Sequence, residues 1–131
     1  MNTNKLVVIE DDDIHYFILG KLLKDIGYTP DQIIRCSCIE DIYSVDLDDV
    51  YCVFSDLVLP DAKRGTTFSI ISAHFEGKPI IVLTSSYGHE MAEETRKMGA
   101  KEYLLKGKIS SEVLRKAINS AVGAFERGIA V

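Results

Sequence analysis

The stretch Leu6-Val7-Val8-Ile9-Glu10-Asp11-Asp12-Asp13 joins a continuous apolar run to four consecutive acids. An unbroken aliphatic run rich in β-branched residues suits a strand covered on both faces, because a strand with one wet face alternates apolar and polar residues. The acids end this strand. Ile14, Phe17, Ile18, Leu22 and Ile26 then recur at the spacing of one helix face, which predicts an amphipathic helix stopped by Gly27. A buried strand, an acidic turn and a helix make the first part of a βαβ unit.

The same pattern repeats outward from this segment. Ile33-Ile34-Arg35-Cys36 reads as a weaker second strand, followed by a short helix around Glu40 to Ser44. Tyr51-Cys52-Val53-Phe54 is a third strand that runs into Ser55 and Asp56, then a loop with Pro60 and Gly65. A helix carrying Phe68, Ile71 and Phe75 ends at Gly77, and Pro79 opens the fourth strand, Ile80-Ile81-Val82-Leu83, which ends in Thr84-Ser85-Ser86. A polar helix from Glu90 to Met98 breaks at Gly99. The fifth strand, Tyr103-Leu104-Leu105, ends at Lys106 and Gly107, and a last helix starts with Ser110 as N-cap and buries Leu114, Ile118, Ala121, Val122 and Phe125. Strands and helices that alternate in this way form a parallel sheet covered by helices on both faces, an α/β fold. No repeat, low-complexity tract or linker interrupts the pattern, so residues 1–131 are expected to form a single domain with a core of about 5–126.

Composition narrows the function. The chain has 131 residues, 47% hydrophobic and 27% charged, enough for one sizeable core. Fifteen basic against twenty acidic residues leave a net charge of -5, which opposes binding to a phosphate backbone and predicts no direct nucleic-acid partner. The polar start, Asn2-Thr3-Asn4, is unlike a signal peptide, and no apolar run approaches the roughly 20 residues that cross a bilayer, so a cytoplasmic protein without membrane contact is expected. Cys36, Cys38 and Cys52 are an odd set without further ligands at metal-binding spacing. Cys36 and Cys38 are expected to share one strand face as small core residues.

Ligands of open parallel sheets bind beyond the carboxyl ends of the strands. There the first strand brings Glu10 and Asp11, the third Asp56, the fourth Thr84 and Ser85, and the fifth Lys106, while the second brings nothing ionic. Each element has a plainer reading. The acids suit a helix N-terminus, Asp56 a turn, Thr84-Ser85-Ser86 a cap and Lys106 the surface. It is the ordered set that points to chemistry. Clustered carboxylates call for a hard cation such as Mg²⁺, and a cation with Lys106 and a hydroxyl suits a phosphoryl group. Asp56, alone on the central strand, is the best nucleophile among the acids.

From about Lys5 to Phe125 the sequence resembles the receiver domain of bacterial two-component response regulators, the CheY-like superfamily. The resemblance is carried by Glu10-Asp11, by Ser55-Asp56-Leu57-Val58-Leu59-Pro60, by Leu83-Thr84-Ser85, and by Gly99-Ala100 before Tyr103-Leu104-Leu105-Lys106. It implies a flavodoxin-like, doubly wound five-stranded sheet in the order 2-1-3-4-5. Asp56 would then be the phosphorylation site of a phosphorelay. Glu10, Asp11, Asp56 and the backbone carbonyl of Val58 would hold Mg²⁺, and Thr84, Ser85 and Lys106 would bind the phosphoryl group. Thr84 and Tyr103 would form the switch, reshaping the face made by the 90–98 helix, the fifth strand and the last helix. The implied donor is a histidine kinase or histidine phosphotransfer protein, and the implied output is a downstream protein partner or an output domain outside this chain, with scope for a phosphorylation-dependent homodimer. On this reading the domain is not an enzyme beyond its own phosphoryl transfer and slow autodephosphorylation.

Three positions depart from the family pattern. Gly107 replaces the usual proline after the lysine, which favours a trans peptide there. Gly65 lies one residue further from Asp56 than is common, and Val58 is apolar where some members are polar. Competing readings are a metal-dependent phosphohydrolase, a flavin-binding module, which the four acids disfavour, and a pseudo-receiver that binds without phosphorylation. The chain end at Gly128-Ile129-Ala130-Val131 is compatible with a complete regulator or with one domain of a longer protein.

Overall fold

The computed structural model of the chain describes residues 5–63, 66–85 and 89–126, with side chains over 5–63, 66–85 and 93–123. Five strands, β1 (Lys5–Ile9), β2 (Ile33–Cys36), β3 (Val50–Asp56), β4 (Ile80–Thr84) and β5 (Glu102–Leu105), pair in parallel in the order β2-β1-β3-β4-β5. This is the expected doubly wound sheet. The order reverses between β1 and β3, so their carboxyl ends open onto a crevice with no crossover above it.

Helices α1 (Asp13–Asp25) and α4 (Ser111–Glu126) cover one face, where Leu19, Leu23, Leu114, Ile118 and Ala121 pack on Leu6, Val8, Phe54 and Ile81. On the other face Ile42 and α2 (Thr67–His74) pack with Phe68, Ile71 and Phe75 against Val7, Ile9, Val53 and Val82, with Ala100 after α3 (His89–Lys97) closing that layer. Alternate residues of β1 therefore serve opposite layers, as continuous burial of the strand requires. The last helix begins as expected, with Val113 N–H donating to Ser110 Oγ at 3.2 Å, and buries Leu114, Ile118, Ala121 and Val122. Phe125, like Gly65 and Ser86, lies outside the residues whose side chains are described.

The short helix expected around Glu40 to Ser44 is present as a 3₁₀ helix, with Ile42 N–H bonded to the Ile39 carbonyl and Val45 N–H to the Ile42 carbonyl, and it buries Ile42 alone. Two local expectations are corrected. Cys36 is buried at the end of β2, but Cys38 is only half-buried, because the strand stops before it and the chain turns away. On α1 the stripe picked out by spacing is largely the wrong face. Ile14, Phe17 and Ile18 are 71%, 63% and 49% exposed, while Leu19 and Leu23 form the buried line. This helix is apolar on two faces, and periodicity cannot tell which one the sheet takes. Gly27 ends α1 at φ 109°, a left-handed conformation that suits glycine.

Candidate functional site

Each strand delivers its polar residue to the same rim. Glu10 follows β1 directly, its N–H bonded to the Cys36 carbonyl at 2.9 Å, and its side chain is 1% exposed. Asp56, the last residue of β3, pairs in register with Leu83 of β4 and is buried, whereas Asp11 is exposed. Carboxylate oxygens of Glu10, Asp11 and Asp56 all lie within 4.8 Å of one another. Thr84 closes β4 and is buried, and Ser85 beside it is exposed. Lys106 enters from the end of β5, where the backbone turns through Lys106–Lys108 without a cis peptide, as Gly107 predicts.

Lys106 pairs with two of the acids. Its Nζ lies 2.7 Å from Asp56 Oδ2 and 2.7 Å from Glu10 Oε1. The second Asp56 oxygen, Oδ1, accepts the Val58 N–H at 3.1 Å, and Glu10 Oε2 accepts the Asp12 N–H at 3.1 Å. Burial pushes the Glu10 carboxyl above the ordinary carboxylate range; Lys106 opposes this and Asp56 adds to it. Burial by itself would lower the Lys106 pKa, but the bonds and charges of Asp56 and Glu10 outweigh it and hold the ammonium form above its usual range.

A hard divalent cation fits this donor set. All three side chains offer oxygen, Asp11 faces solvent where a cation can keep waters, and the buried Glu10 Oε1 is matched by an ion pair without a hydrogen bond of good geometry. An under-satisfied buried carboxylate oxygen is costly, and a cation relieves that cost.

Two residues at the rim escaped the reading of the sequence. Arg35 of β2 donates through Nε and Nη2 to the Glu10 carbonyl at 3.3 and 3.2 Å, and its Nη2 lies 2.8 Å from Asp13 Oδ1. The expectation that β2 brings nothing ionic is therefore wrong: register sets Arg35 opposite Val8, so its long side chain reaches the acidic turn. A charged residue inside an apolar run was the available signal. His15 of α1 places Nδ1 3.3 Å from Lys106 Nζ, and nothing in local sequence announced it. Asp12 caps α1 by accepting from Ile14 N and His15 N, and Asp13 in the first turn pairs with Arg35.

Away from the acids, Thr84 Oγ1 donates to the Ser85 carbonyl at 3.1 Å. Tyr103 is half-buried, packs its ring against the α2-side core, and donates its hydroxyl to Glu93 Oε1 of α3 at 2.6 Å. Hydrogen bonding to Glu93, with burial and that carboxylate's charge, raises the Tyr103 pKa.

The family model for the response regulator receiver domain matches residues 6–119, spanning every one of these rim positions. The chain belongs to the response regulator receiver domain family. Solved receiver structures share its fold. The response regulator receiver domain protein from Clostridium thermocellum matches with a TM-score of 0.80 at 22% identity, over 96% of this chain and 99% of that one. The N-terminal domain of a response regulator/sensory box/GGDEF protein from Carboxydothermus hydrogenoformans matches with a TM-score of 0.73 at 20% identity, over 96% and 99%. Full-length FixJ from B. japonicum matches with a TM-score of 0.76 at 22% identity, over 98% of this chain and 62% of that one. No curated protein matches the chain. Receiver domains are the signalling domains of two-component systems, and among the described residues of this one no helix is long and apolar enough to cross a membrane.

Proposed function

We propose that this receiver domain takes a phosphoryl group from a phosphohistidine onto Asp56. The observation that carries this reading is the union, at the β1/β3 switch point, of a buried carboxylate with a lysine ammonium 2.7 Å away and a second and third acid within 4.8 Å. An Asp56 oxygen attacks phosphorus, the phosphorus–nitrogen bond breaks, and its electron pair leaves on the donor imidazole. Lys106 and Thr84 bind the phosphoryl oxygens, with Ser85 assisting. Glu10, Asp11, Asp56 and the Val58 carbonyl would hold Mg²⁺, whose charge neutralises the oxygens of the transferring group. Val58 N–H keeps Asp56 Oδ1 oriented before reaction.

The donor docks beside this site. Ile14 and Ile18 expose apolar surface on α1, and Ile18 lines a small cavity with His15, Lys106 and Ile109 next to Glu10. An apolar ridge at the mouth of an acidic site suits a helix that presents a histidine, and exposed apolar residues of this kind mark interaction surfaces. Phosphorylation then draws Thr84 toward the phosphoryl group, and Tyr103 exchanges its Glu93 bond for an inward position. The face of α3, β5 and α4 changes shape for a downstream protein or output domain. The protein is cytoplasmic on this reading.

Intact-mass measurement after incubation with acetyl phosphate and Mg²⁺ tests the chemistry. One added phosphoryl group, dependent on Mg²⁺ and absent from Asp56→Ala, is expected. No adduct in the wild type, together with no binding of beryllofluoride, would leave a pseudo-receiver. Ile18→Asp is expected to slow transfer from a phosphohistidine donor while leaving uptake from acetyl phosphate intact.

A further inference from the structure

We infer that His15 is a positioning residue for Lys106, holding its ammonium over Asp56 by a contact that neither the metal nor the phosphoryl group competes for; the inference rests on the phospho-acceptor reading. A lysine ammonium has three N–H donors on a flexible four-carbon stem, and confining it costs side-chain entropy. Here three groups surround Nζ: Asp56 Oδ2 at 2.7 Å and His15 Nδ1 at 3.3 Å at hydrogen-bond distance, and Glu10 Oε1 at 2.7 Å as an ion pair. The two carboxylates belong to the acid cluster that suits a divalent cation, so their hold on Lys106 weakens when their charge is taken up elsewhere. His15 stands outside that cluster, on α1, and its hold is not shared.

The imidazole is placed by a closed circuit of bonds. Glu10 Oε2 accepts the Asp12 N–H at 3.1 Å, and Asp12 Oδ1 accepts the His15 N–H at 3.0 Å and the Ile14 N–H at 2.9 Å, fixing the first turn of α1. His15 then meets Lys106, and Lys106 returns to Glu10. The charges around the ring are Asp12, with Oδ1 4.0 Å from Nδ1, and Lys106 itself, with Glu10 lining the same cavity. Because an ammonium can only donate, a Lys106–His15 bond requires Nδ1 to accept, and so requires the tautomer with the ring proton on Nε2. The arrangement therefore specifies a tautomer as well as a position.

Two measurements test it. In the metal-free protein, nitrogen-15 NMR of the His15 ring is expected to show Nε2 protonated and Nδ1 bare, with the Nδ1 resonance moving in Lys106→Met. A tautomer mixture that Lys106→Met does not disturb would overturn the inference. With saturating Mg²⁺, His15→Ala is expected to raise the acetyl phosphate concentration for half-maximal uptake by about fivefold, the size of one ordinary hydrogen bond lost. Mg²⁺ affinity by calorimetry stays at the wild-type value, and His15→Gln, which keeps an acceptor, recovers part of the loss. A His15→Ala protein with wild-type half-saturation, or with Mg²⁺ affinity reduced in step, would refute the positioning role. If the wild type takes up no phosphoryl group, the phospho-acceptor reading fails and the role with it, while the NMR result still reports separately on the His15–Lys106 contact.

Discussion

On the β1 side of Asp56, Glu10, Asp12, His15 and Lys106 are bonded around a ring, and Arg35 ties the same turn to β2 through the Glu10 carbonyl and Asp13. On the β4–β5 side, Thr84 bonds to the carbonyl of its own neighbour, and Tyr103 reaches away from the site to Glu93 on α3. That ring is anchored on the buried Glu10, and its contacts restrain the side chains they join. A hydroxyl bonded locally, or a tyrosine paired at a helix surface, can exchange partners at small cost. The contrast separates a frame that holds the acceptor from a flank free to respond to it.

Removing the keystone of the frame gives the largest expected effect. Lys106→Met leaves Glu10 and Asp56 together without their shared cation, and it should lower stability by about 2–3 kcal/mol in urea unfolding. Mg²⁺ should recover part of that loss, since a cation on the same oxygens replaces the ammonium. A variant as stable as the wild type would mean the frame does not depend on this charge. Arg35→Met tests the outer tie and should cost about 1–2 kcal/mol, less because Arg35 and Asp13 both reach solvent.

The responsive flank should behave oppositely. Tyr103→Phe removes the hydroxyl bond to Glu93 and should leave the urea midpoint close to the wild-type value. Tyr103→Ala should abolish the change in partner affinity on phosphorylation; a normal change would take the ring out of the switch. The smallest effect near neutral pH comes from the thiols. Burial raises Cys36 to about 11 and Cys52 to about 12. Both folded-state values exceed the unfolded value of about 8.5, so this contribution is fully present below that pH and is lost as pH rises toward 11–12. Melting temperature should therefore fall across pH 9–11, and the slope should be shallower in Cys52→Ala.

Much of this was legible in linear order. Leu6 to Ile9, Tyr51 to Phe54 and Ile80 to Leu83 read as buried strands because continuous aliphatic runs have few other uses, and the residue after each run is set by chain connectivity alone. Glu10, Asp56, Thr84 and Lys106 therefore fell on one rim from sequence. The strand order 2-1-3-4-5 came from the family resemblance, since alternation of strands and helices does not order a sheet. Arg35 and His15 were missed for a different reason: each matters through a partner distant in sequence, the Glu10 turn for one and Lys106 for the other.

The sequence by itself determined the α/β class, the strands and the chemical identity of the acidic rim, because periodicity and strand-end residues are local properties of the chain. Tertiary structure decided which face of α1 is buried, that Glu10 is enclosed while Asp11 meets solvent, and that Lys106 is held by two acids and an imidazole. Those outcomes depend on sheet register and helix placement, which bring together side chains up to 91 positions apart; no local pattern carries that information.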